Sequence, residues 1–171
     1  MANKSTSDVN EMDQILLSEE QYHQISQELD TLQSKINSQL VLLGDMTGQL
    51  ISKKGNIAGV DMSILTALIS SDFSATTEIA RILGKNNQFR LHFHEGNNRN
   101  LYISSVKDQL FLAVVFHSSV TLGMVRIFSK KTIDKIERII ESGYQESLKY
   151  SDIIDSEFKS FVTEGLDKIL G

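Results

Sequence analysis

The sequence has no cysteine, no proline and no tryptophan. Without cysteine there is no disulfide framework, and no thiolate zinc or iron–sulfur site can form. That composition fits a reducing compartment. Without proline, every turn must be made by Gly, Asn, Asp or Ser. A long apolar run is missing as well: no stretch approaches the roughly 20 apolar residues of a membrane span, and the opening MANKSTSDVNEMDQ lacks the apolar core of a signal peptide. A soluble cytoplasmic protein is expected. Positive charge is in deficit, 17 Lys and Arg against 22 Asp and Glu for a net charge of −5, which argues against nucleic acid as the main partner. What is present is 171 residues of 40% hydrophobic content, enough for one core and too little for two.

The most informative stretch is Asn100 to Ile140. Two apolar runs, Leu101 to Val106 and Leu110 to Phe116, flank the polar corner Lys107-Asp108-Gln109, the pattern of a β-hairpin. Thr121 to Arg126 suits a strand or a helix, but the helical spacing of Val125, Phe128, Ile133, Ile136, Ile139 and Ile140 favours a helix from about Thr121. Upstream, residues 1–17 read as a disordered tail. Ser18-Glu19-Glu20-Gln21 has the form of a capping box and opens an amphipathic helix with the stripe Tyr22, Ile25, Leu29, Leu32 and Ile36. Gln39 to Leu43 and Gln49 to Ser52, joined by the corner Gly44 to Gly48, form a second hairpin, followed by a loop over Lys53 to Gly59.

Asp61 or Ser63 caps a second helix, Ser63 to Leu83, with Leu65, Leu68, Ile79 and Leu83 on one face and Gly84 at its end. The opposite face carries Ala67, Ser70, Ser74, Thr77 and Arg81. These mostly short side chains would let another helix or a partner approach closely. A plain solvated face is the alternative, although Ser and Thr are mediocre helix formers. Gln88 to His94 alternates as a strand, with Phe89, Leu91 and Phe93 on one side. Beyond Ser142-Gly143, residues 144–171 form an amphipathic helical extension. The order is helix, two strands, helix, three strands, helix, and one helix more, with the domain proper spanning 18–143.

Candidate chemistry is sparse. His92 and His94 share a strand face, with Glu95 and His117 as possible neighbours, the one arrangement suited to a metal; the competing reading is an exposed polar strand face, and no third ligand stands at a recognisable spacing. Ser156-Glu157-Phe158-Lys159 matches S-x-x-K, but its companion motifs are missing. Gly44, Gly48, Gly55 and Gly59 make no phosphate-binding pattern. Lys53-Lys54 and Lys130-Lys131 read as solvated surface. No catalytic residue, metal or cofactor is expected.

Leu40 to Ser52 (LVLLGDMTGQLIS), with its Asp-x-x-Gly corner, resembles the first hairpin of the roadblock/dynein-light-chain superfamily. His92 to Gly96, Leu101 to Val106 and above all Ser119 to Arg126 (SVTLGMVR) resemble its bacterial MglB branch. The resemblance runs in unbroken order from about Ser18 to Ser142. It implies an α/β (α+β) sandwich with a five-stranded antiparallel sheet, and it makes Thr121 to Arg126 helical. It also implies a homodimer through helix 63–83 and strand 88–94, and a partner of the MglA-type Ras-like GTPase class. Such regulators stimulate GTP hydrolysis without donating a catalytic residue, in cell polarity or motility. The partner-facing residues carried over are Ser70, Ser74, Thr77, Glu78 and Arg81, joined by Ile154, Phe158 and Phe161 of the extension. Glu78 departs from the small residue usual there and would weaken or redirect binding to the usual partner, leaving open a different GTPase or a loss of activity. Two other functions fit the sequence: a roadblock scaffold without effect on hydrolysis, and a metal-dependent enzyme or sensor using His92 and His94.

Overall fold

The computed structural model describes residues 16–84 and 88–170 and, beyond residue 143, the side chains of Gln145, Ser156, Lys159 and Val162. Eight elements follow one another: α1 (Glu19–Ile36), β1 (Leu40–Asp45), β2 (Leu50–Gly55), α2 (Met62–Leu83), β3 (Leu91–His94), β4 (Arg99–Val106), β5 (Leu110–His117) and α3 (Leu122–Leu170). The strands form one antiparallel sheet in the order β2-β1-β5-β4-β3. This is the expected α+β sandwich. Most of the expected tail lies outside the described residues, but Leu17 packs against the core.

The central strands are buried on both faces, which is why they read as continuous apolar runs rather than alternating ones. Val41 and Leu43 of β1, with Leu112, Val114 and Phe116 of β5, meet α1 and α3 on one side. Leu40 and Leu42, with Phe111 and Ala113, meet Ile69 and Phe73 of α2 on the other. The expected corners are in place. Asp45 Oδ1 accepts from the backbone N–H of Thr47 and of Gln49, each at 2.9 Å, and Gly48 supplies the positive φ (94°) that closes the turn. At the β4–β5 corner Lys107 and Asp108 both adopt left-handed backbone.

The capping box of α1 forms, with Ser18 Oγ accepting from Gln21 N–H at 3.2 Å and Gln21 Oε1 accepting from Ser18 N–H at 2.9 Å. The stripe is corrected at its first member: Gln21, not Tyr22, is buried, and Tyr22 is exposed. Gln21 stands four residues before Ile25, on the same face, and its amide survives burial because Nε2 donates to Ile139 O at 2.7 Å. Two strand limits also shift. β2 continues to Gly55, where a loop was expected, and β3 begins only at Leu91.

The extra helix does not exist as a separate element. α3 is continuous over 49 residues, and the Ser142-Gly143 pair does not break it. A glycine costs a helix only about 1 kcal/mol relative to alanine, and here its bareness has a packing use: a Cβ on Gly143 would overlap the Gln21 side-chain amide. The limit expected at residue 143 therefore falls inside one helix. No helix of the described residues is long and apolar enough to cross a membrane.

The orientation of α2 is the largest correction. Leu68, Ile79 and Leu83, expected to share an apolar packing face, point outward, while Thr66, Ile69, Ser70, Phe73 and Ala80 lie against the sheet. The helix carries two apolar stripes, so periodicity alone does not choose between them. The inward one meets β1 at a bare position. Gly44 sits under Thr66, and any larger contact would hold the helix off β1.

Candidate functional site

The outward stripe of α2 follows steps of three and four through Ile64, Leu68, Ser71, Ala75, Ile79 and Ile82. Ile64, Leu68, Ile79, Ile82 and Leu83 are between 52% and 77% exposed. Alongside runs the outermost strand β3, preceded by Phe89; Phe89 and Leu91 are exposed as well. An apolar helix face beside a sheet edge with unpaired backbone groups is the signature of a surface that another chain covers. Ile64, Ile82, Phe89 and Leu91 were not singled out as surface from the sequence. The legible signal was that α2 is apolar on too many sides for a helix with one buried face.

The residues carried over as partner-facing divide. Ser70 is buried, and its hydroxyl donates to Met46 O across to the β1–β2 corner; it is a packing residue and leaves the surface. Ser74, Thr77, Glu78 and Arg81 are exposed. Ser74 Oγ donates to Ser70 O at 3.1 Å, and Glu78 and Arg81 pair with each other at 2.8 Å. Because both partners are well exposed, that pair contributes little to stability and is available to a binding partner. Ser74, Thr77 and Glu78 line a groove of about 520 Å³ between α2, Phe89 and Arg90. The side chains of Ile154, Phe158 and Phe161 lie outside the described residues.

The histidines do not form a polar strand face. His92 is buried against α2, its ring stacked on Phe73 with centroids 4.4 Å apart. Its Nδ1 lies 2.9 Å from Asp72 Oδ2, and His94 Nε2 lies 3.2 Å from the same oxygen. Partial burial raises the Asp72 carboxyl pKa, but the hydrogen bonds from the two imidazoles and their charges outweigh it and leave the group below its ordinary value. His117, named as a neighbour from the sequence, instead bonds Ser119 Oγ at 2.9 Å. Asp72 was missed because it stands 20 residues from His92, and only the packing of α2 on the sheet brings it there.

A five-stranded antiparallel sheet with paired helices on one face and a single outward-apolar helix on the other defines the roadblock class of α+β domain. The Roadblock/LC7 domain family matches residues 25–116, and the chain belongs to it. It is MglB-like. The structure of Myxococcus xanthus MglB superimposes with a TM-score of 0.67 at 34% identity, covering 70% of this chain and 96% of that one. The gliding protein MglB of Thermus thermophilus shares the fold with a TM-score of 0.66 at 23% identity, over 74% and 96% of the two chains. An uncharacterised protein of Aquifex aeolicus is 24% identical over 139 residues, 81% of this chain and 83% of its own length.

Proposed function

We propose that the protein is a non-catalytic regulator of a small Ras-like GTPase of the MglA type, acting in the cytoplasm as a homodimer. The observation that carries the reading is the exposed apolar face of α2 running beside the outer strand β3. Two copies related by a two-fold axis would pair β3 with β3 and α2 with α2, joining two sheets into one and covering Ile64, Leu68, Ile79 and Ile82. Ser74, Thr77, Glu78 and Arg81 would then flank the seam, where a GTPase can span both copies. Ile154, Phe158 and Phe161 of α3 supply a second apolar contact to the same partner.

In this role the protein needs no nucleophile and no metal at the GTPase surface. It favours the GTPase conformation in which the enzyme's own arginine and glutamine reach the phosphates, and it acts by differential affinity for that state. Phosphate release by a Ras-like GTPase from the same genome, measured with increasing amounts of the protein, is expected to accelerate. Binding with no acceleration over a wide concentration range would select the scaffold reading instead.

A further inference from the structure

Asp72, His92 and His94 bring three potential ligand atoms within 4.8 Å of one another at the junction of α2 and β3. We infer that they form a binding site for one divalent transition-metal ion, with zinc the best fit, that clips α2 to the sheet edge. The inference does not depend on the GTPase reading.

Two of the three edges of the ligand triangle are close to those of a loaded site, and the third is within 4.8 Å. Zinc bonds of about 2.0–2.1 Å in a tetrahedral site place neighbouring ligand atoms roughly 3.3 Å apart. Asp72 Oδ2 stands 2.9 Å from His92 Nδ1 and 3.2 Å from His94 Nε2, so an ion entering the triangle has to spread these two edges by only a few tenths of an ångström. The donors suit the metal: two imidazole nitrogens and one carboxylate oxygen are the borderline set that zinc prefers, and three protein ligands leave a fourth position for water. In the single chain the entry side is open, because the His94 side chain is 52% exposed and that of Asp72 35%.

His92 is the residue that a packing explanation handles worst. Its side chain is only 7% exposed, and among the described residues its Nε2 is buried with no hydrogen-bond partner and its one polar contact is the shared carboxylate. Coordination would run through Nδ1, the nitrogen that already faces Asp72, with the proton on Nε2. A ligand role gives the buried imidazole a use that stacking on Phe73 does not.

The test uses the full-length, untagged protein. Cobalt(II) is added as a spectroscopic probe and zinc is titrated calorimetrically near neutral pH. One ion per chain is expected, with visible ligand-field bands for cobalt. His94→Ala and Asp72→Asn should each weaken zinc binding by more than the ~10–100-fold that loss of an outer-shell partner costs, while His117→Ala binds as the parent does. His94 is half exposed on the outermost strand, so its replacement leaves the fold intact, and circular dichroism checks this. Zinc should also raise the Tm of the parent and not that of His94→Ala. Absence of saturable binding, or equal binding by the parent and His94→Ala, would overturn the assignment.

Discussion

A methyl group on Gly44 would stand 2.6 Å from Phe111 Cζ and 2.7 Å from Thr66 Cγ2. The glycine is therefore required by packing rather than by backbone conformation: β1 must offer a bare surface so that α2 can lie down on it. Gly44→Ala should cost about 1–3 kcal/mol, the usual range for overpacking, read as a lower Tm or denaturation midpoint. Thr66→Ser removes one of the two obstructing atoms, so the double variant should recover part of the loss, a coupling that a double-mutant cycle measures directly. Ser70 belongs to the same contact. Its hydroxyl bond to Met46 O ties the helix to the β1–β2 corner, which is why a residue that looks like surface on a helical wheel is buried.

At the scale of elements, α1 and α3 meet over a shared polar knot. Gln21 closes the cap of α1 with its Oε1 and reaches Ile139 O of α3 with its Nε2, and Gly143 leaves the room it occupies. Gly143→Ala would improve helix propensity by about 1 kcal/mol yet displace a side chain holding two hydrogen bonds, each contributing ~0.5–1.5 kcal/mol. A net loss of stability is expected, and Gln21→Ala in the same chain should reverse its sign. The elements themselves were largely legible: the capping box, the Asp-x-x-Gly corner and the two-sided apolar runs of β1 and β5 each name a local structure with a mechanism. The facing of α2 was not, because a helix with two apolar stripes becomes oriented only when the sheet beneath supplies a steric constraint. The continuity of α3 was hidden for a related reason. Gly143 has the appearance of a stop and the function of a packing gap. Asp72 could not be placed beside His92 from spacing, since the contact depends on how α2 lies on the sheet.

For the whole molecule, the apolar face of α2 is the feature that a free monomer would have to keep in water. Burying a large aliphatic side chain contributes ~1.5–3 kcal/mol, and Ile64, Leu68, Ile79 and Ile82 all stand on that face. If the proposed homodimer forms, Ile79→Lys combined with Ile82→Lys should convert it to a monomer in light scattering coupled to gel filtration, with unchanged circular dichroism, because neither side chain takes part in the chain's own core. Unaltered dimer mass in that variant would remove α2 from the interface.

The two outer strands of the sheet differ in a way that bears on how such an assembly stops. β3 presents exposed Leu91 beside Phe89, whereas β2 carries Lys53 and Lys54. Lysines on an outer strand discourage a further strand from adding there. In the homodimer proposed above, two copies would meet through β3, the inviting edges would be consumed, and lysine-bearing β2 would remain outside at both ends. Pairing of that kind would carry its own terminator, so that the stickiness it needs would not become a route to fibres.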